Sequence, residues 1–239
     1  MDTTKQFDRT KEDVGNVQLL EHVNVTVPDQ GLASMFYVTG LGFTRDPYID
    51  FGTFNMWVNL GDQQFHLPVS DPQVLRGHIG VVVPELEGLM KRLNFASKAL
   101  TETSFTYKEN GNQVELTCPY GNTLRAFESG AFPSMDLGMP YVQLDVPQGT
   151  KQGIANFYST VIGCPATVNS DSAHISMGHN QELIYTETDK PLPEYDGHHI
   201  AVYVSDFSGP HKWLANRELI SEESDQHQYR FEKIVDPDS

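Results

Sequence analysis

The chain has 239 residues, enough for two ordinary domains or one large one, and for a core that needs no covalent staples. Its 32 acidic residues against 16 basic ones give a formal net charge of −16, which argues against nucleic acid as a partner because phosphate binding needs clustered Lys and Arg. The two cysteines, Cys118 and Cys164, form no CxxC pair, and no apolar run approaches the ~20 residues of a membrane span, so neither a disulfide framework, a thiolate zinc site nor a membrane helix is expected.

Residues 1–16 form a polar tail with no apolar stretch of the kind a secretion signal carries, which makes the cytosol the expected compartment. A repeat then begins. Four strand-like runs rich in Val follow one another: EHVNVTVP (21–28), GHIGVVVP (77–84), PYVQLDVP (140–147) and HHIAVYVS (198–205). Each leads into a helix-like stretch, in order LASMFYVTGLGF, ELEGLMKRLNFA, KQGIANFYSTVIG and GPHKWLANREL. The first and third share Phe-Tyr followed by Gly at one offset, Phe36-Tyr37 with Gly42 and Phe157-Tyr158 with Gly163, and such a Gly suits a helix C-terminus. Further alternating segments follow each helix, among them FNMWVNL, QQFHLP, NQVELTC, TLRAFE, AHISMG and QELIYTE. The unit is therefore β-α-β-β-β, recurring at roughly 55–60 residues.

Strand parity separates two faces. In the first unit Val23, Val25 and Val27 turn to a helix-covered core, and His22, Asn24 and Thr26 turn away. The later units repeat this with Ile79, Val81 and Val83, then Val142, Leu144 and Val146, then Ile200, Val202 and Val204 on the core side. The outward sets begin with His78, Tyr141 and His199 in the slot of His22. Aromatic neighbours such as Trp57 make that second face the wall of a pocket. Three imidazoles, His22, His66 in QQFHLP and His78, stand at matching places, and a divalent metal is the usual reason for such a convergence.

These features, the HxxxxV first strands, the FYxxxxG helix and the PxGN turn before a closing strand, resemble the vicinal oxygen chelate superfamily over residues 17–239. It includes glyoxalase I, extradiol dioxygenases, methylmalonyl-CoA epimerase and the fosfomycin and bleomycin resistance proteins. The resemblance implies an α+β fold of four tandem βαβββ modules, the last incomplete, paired into two cup-shaped mixed β-sheet halves, with boundaries near 74, 135 and 195. Residues 17–134 would make the first cup and 135–239 the second. The stretch YRFEKIVDPDS stops where the family's fourth module would turn into its closing strand, so a fragment is the expectation.

Carried onto this chain, the family's ligand positions in the first cup are His22, His66 and His78, with Arg125 where a Glu is usual. One divalent metal ion (Fe2+, Mn2+, Zn2+ or Ni2+) is the implied cofactor. Arg125 would anchor an anionic group of a small oxygen-bearing substrate, and Trp57 and Asn24 would line its place. The second cup offers Tyr141, His199 and Glu182 and is expected to hold no metal. The activity implied is that of a metal-dependent lyase or dioxygenase, with no general base to name. The alternative is a metal-free small-molecule binder of the bleomycin-resistance type. A small molecule and a second copy of the chain are the only partners the reading calls for, with no nucleic acid and no membrane. SEESD (221–225) is a solvated turn, and no GxSxG, phosphate-binding or dinucleotide motif is present.

Overall fold

A computed structural model describes residues 8–239, apart from the side chains of Lys11 and Asp50. Residues 1–7 of the polar tail expected over 1–16 lie outside the described residues. Asp8 caps a short turn at Arg9–Glu12 by accepting from the Thr10 amide.

The first module runs β1 (Val17–Asn24), α1 (Gln30–Ser34), β2 (Thr44–Asp50), β3 (Asn55–Leu60) and β4 (Gln63–Pro68). The second runs β5 (Gly77–Val83), α2 (Leu86–Ala96), β6 (Thr106–Asn110), β7 (Gln113–Thr117) and β8 (Thr123–Glu128). The third runs β9 (Gly138–Pro147), α3 (Lys151–Phe157), β10 (Ala166–Val168), β11 (Ser172–Ser176) and β12 (Glu182–Thr188). The fourth has β13 (His199–Val204), α4 (Ser208–Ala215), β14 (Ile220–Asp225) and β15 (Gln228–Phe231). Local chemistry sets the limits. Asp29 starts α1 by accepting from the amides of Gly31 and Leu32 at 2.6 and 3.0 Å. Both α1 and α3 loosen into π-helical turns, and the second of these ends at Gly163 in the left-handed region (φ 84°), which only glycine enters without strain.

In the first three modules the first strand lies parallel to the last: β1 beside β4, β5 beside β8, and β9 beside β12. The alternation works as expected there. Val23, Val81 and Val142 are fully buried against the helices, with Phe36, Leu93 and Phe157 among the largest buried side chains. The fourth module differs. Its β14–β15 hairpin, in which the SEESD stretch (221–225) is a strand and not the expected turn, forms a separate two-stranded sheet, and among the described residues β13 pairs only with β1, leaving its other edge free. Ile200, Val202 and Val204 are only half-buried, as are Leu144 and Val146 of the third module, whereas their counterparts in the first two modules are buried.

The pairing of modules departs from the sequence expectation. Residues 17–134 do not make one cup. The five-stranded sheet runs β13-β1-β4-β3-β2 and joins the first module to the fourth. The eight-stranded sheet runs β10-β11-β12-β9-β5-β8-β7-β6 and joins the second to the third. All four first strands share one alternation, so the pattern does not say which edges meet; specific edge contacts decide. Asn16, just before β1, donates from Nδ2 to the carbonyls of Ile162 (2.8 Å) and Asp206 (3.0 Å) and accepts from the Asp206 amide (2.5 Å), tying the start of β1 to the end of β13. At the other seam β5 meets β9 so closely that a Cβ on Gly77 would lie 1.9 Å from the Gln143 carbonyl oxygen. Gly77→Ala should therefore lower stability by about 1–3 kcal/mol, the cost of forcing atoms into a packed seam. A urea midpoint unchanged from the wild type would show that the seam opens freely.

Candidate functional site

The sheet topology brings His22 on β1, His66 on β4 and His199 on β13 to one face of the five-stranded sheet. The registers fix this: Asn24 lies opposite both His66 and His199, and His22 lies opposite Gln64 and Ala201. The His22 ring centre is 5.8 Å from that of His66 and 5.9 Å from that of His199. Trp57 on β3 stacks on His66 at 3.9 Å with an interplanar angle of 12° and meets His22 edge-on at 4.9 Å. Imidazoles that share one ion at ~2.1 Å have ring centres roughly 5 Å apart, so these rings are gathered but not closed around a point. Consistent with that, among the described residues no group of three or more His, Cys, Asp or Glu side chains stands ready-made for a metal.

Each imidazole has one side occupied. His22 Nδ1 is held by the Glu21 carboxylate. His66 Nδ1 is 3.2 Å from the Asn24 side-chain amide. His199 interacts with the Gly197 backbone. Metal-ligating histidines are oriented in this way, with one nitrogen held and the other offered. The offered atom is visible at His66, whose Nε2 is buried without a hydrogen-bond partner. A buried ring nitrogen is rarely left in that state unless a ligand takes it up. Burial, then the charges of His22 and His199, hold the His66 pKa down at about 3. Burial, then Arg230, holds His199 at about 4. Both are neutral near pH 7 and carry the lone pair that coordination needs. The donor set therefore fits a divalent metal.

Glu21 is the residue that strand parity misplaces. Between Leu20 and His22 the β1–β13 register advances two residues on β1 for one on β13, a bulge with Glu21 as the extra residue. The bulge brings its carboxylate to the adjacent imidazole. Asp46 on β2 reaches the same face but is committed. Its oxygens accept from the Tyr48 and Ile49 amides at 2.8 Å and from Asn59 and Gln64 at 3.1 Å, bonds that hold its carboxyl below the usual range. The cation that reaches the histidines electrostatically is Arg230 on β15, with Nη1 3.0 Å from a Glu222 oxygen.

His78 and Arg125 are not part of this cluster, contrary to the sequence expectation. Both lie on the eight-stranded sheet, His78 on β5 and Arg125 on β8. Their neighbour is Tyr141 on β9, whose hydroxyl is 3.2 Å from His78 Nε2. The physical cause is the module pairing: His78 has the same slot as His22, but in the other cup. His199, expected in a degenerate second site, is in the histidine cup for the same reason. Glu182 begins β12 in the interior of the eight-stranded sheet, opposite Tyr141, and binds His174 Nδ1 at 3.0 Å. Trp57 and Asn24 stand beside the histidines and contact His66.

No protein-family model matches the sequence, and no curated protein does. Solved structures do match. Glyoxalase I from Zea mays superposes with a TM-score of 0.62 at 17% identity, covering 87% of this chain and 84% of that one. A candidate dioxygenase from Bacillus subtilis superposes at 0.57 and 17% identity, covering 93% and 86%. At these identities the likeness establishes the fold. No described helix is long and apolar enough to cross a membrane.

Proposed function

From the vicinal oxygen chelate fold, we propose that the cup of the first and fourth modules is a divalent-metal site acting on a small oxygen-bearing substrate, with His22, His66 and His199 as its nitrogen donors. The observation that carries this is the buried, partnerless Nε2 of His66. The two named likenesses, a glyoxalase I and a candidate dioxygenase, favour a reaction of lyase or dioxygenase type.

A metal held there supplies Lewis acidity to substrate oxygens. The chain's own residues do the rest. Glu21 and Asn24 fix the ring orientation of His22 and His66. Trp57 covers one face of His66 and keeps water from it. Arg230 places positive charge beside the site and favours a substrate with an anionic group. None of the three protein donors is a carboxylate or thiolate, so no anionic ligand offsets the charge of the ion, which sharpens that preference. A second reading is a metal-free pocket, favoured by the flat stacking of Trp57 on His66, which is also how an aromatic wall would be built.

The deciding measurement is elemental analysis of protein purified without chelator or metal-affinity resin. Near-stoichiometric metal is expected. Protein that arrives empty and takes up no added divalent ion would leave the metal-free pocket. Glu21→Gln keeps the shape but removes the charge that orients His22. It should weaken metal binding about 10–100-fold, the usual cost of losing such an orienting partner. Unchanged affinity would mean that Glu21 plays no part in holding the ring.

A further inference from the structure

The eight-stranded sheet carries a second cup built on the same registers. Gly80 lies opposite Tyr141 and Arg125, as Asn24 lies opposite His199 and His66. The three histidine positions are thus occupied by His78, Tyr141 and Arg125. The Tyr141 ring lies directly over Gly80, where a Cβ would come within 2.4 Å of a ring carbon. Phe127 and Phe132, with ring centres 5.1 Å apart, stand 6.3 and 6.2 Å from the Tyr141 ring and wall the cup on one side.

Arg125 is the unusual member. It is half-buried in a strongly acidic protein, yet no carboxylate oxygen of the described residues forms an ion pair with it within 4.0 Å. Glu115 lies opposite it on β7, but the Glu115 carboxylate accepts from the Asn110 side chain at 2.9 Å. The Tyr141 phenol is raised by burial and stays a donor, with Arg125 beside it. His78, lowered to about 4 by burial and then by Arg125, adds a neutral ring. A guanidinium and a phenol hydroxyl against an aromatic wall are the complement of an aromatic carboxylate.

We propose that the cup of the second and third modules is a metal-independent binding site for a small aromatic monocarboxylate. Arg125 pairs with the carboxylate, Tyr141 donates to it, and Phe127 and Phe132 receive the ring. Glu115 sets the charge limit. One carboxylate on Arg125 leaves the trio at net −1, whereas a dianion adds a further repulsion, so phthalate and inorganic phosphate bind worse than benzoate. The site is independent of the histidine cup and of what that cup does.

The test is calorimetric titration of chelator-treated full-length protein with sodium benzoate. Saturable binding of one benzoate per chain is expected. Arg125→Lys keeps the charge but loses the two-pronged geometry and should weaken it about tenfold. Tyr141→Phe should weaken it several-fold. Both variants should keep the wild-type metal affinity, which shows that they fold, and His66→Ala should bind benzoate like the wild type. Absence of saturable benzoate binding in the wild type would overturn the proposal. So would binding that survives Arg125→Lys and Tyr141→Phe unchanged, or binding that is lost in His66→Ala.

Discussion

His199→Ala should strip the protein of its metal as thoroughly as His22→Ala, while His78→Ala should leave it in place. The first pair is brought together only by the β1–β13 seam, where Asn24 lies opposite His199 and His22 opposite Ala201. His78 is on the other sheet and faces Tyr141. A structural zinc site is worth about 10–16 kcal/mol in all, so one of three protein donors accounts for several kcal/mol, and its loss should weaken affinity on the order of 100–1,000-fold. Competition against a chromophoric chelator measures this directly. The informative result is the contrast among variants: metal lost from His78→Ala and kept by His199→Ala would mean that the first module works with the second in solution, against the topology.

Acid should unfold the chelator-treated protein well before its carboxylates are exhausted. His66, held at about 3, and His78 and His199, held at about 4, are all lowered first by burial. In the unfolded chain each returns to about 6.5. Between those limits the unfolded state binds protons that the native state refuses, so stability falls as pH falls. The contribution is fully present above about pH 6.5 and is lost progressively as pH falls toward 4 and then 3. The limiting slope is about 1.4 kcal/mol per pH unit for each histidine, and after discounting for partial exposure the three together remove on the order of 5 kcal/mol by pH 4. That is a large share of a domain's usual 5–15 kcal/mol. Urea midpoints measured from pH 8 to 4 should show the decline, and the triple His→Gln variant should show a flatter one. A wild-type midpoint constant down to pH 4.5 would mean the rings are wetter than the fold implies.

The module plan is legible in the sequence because each first strand alternates cleanly, and that alternation is what buries Val23, Val81 and Val142. His22 and His66 are legible for a related reason: one module contributes both, and its internal order of strands is the same wherever it is placed. His78 and His199 are equally legible as occupants of the His22 slot, but not as members of a particular cup. The choice between them rests on edge contacts such as those of Asn16 and Gly77, and nothing in the periodicity marks those residues. Glu21 is hidden more deeply. By parity it belongs on the face opposite His22, and only the extra residue in the β1–β13 register brings its carboxylate to the ring. Arg230 lies on a short, exposed hairpin whose alternation is too weak to assign it a direction.

The free edge of β13 gives the protein's charge a second meaning. The strand reads His-Ile-Ala-Val-Tyr-Val, with no lysine, glutamate or proline of the kind that blunts an exposed edge, and Tyr203 on it is 59% exposed. Among the described residues no strand pairs with its outer amides and carbonyls, which would accept a strand from a neighbour, including the same strand of another copy. Long-range repulsion is then the safeguard that local sequence does not provide. At −16 per chain, two copies repel each other before their edges can meet. The acidity that argues against nucleic acid is thus also what holds this surface apart in a crowded solution, and salt, by screening it, brings the edges within reach.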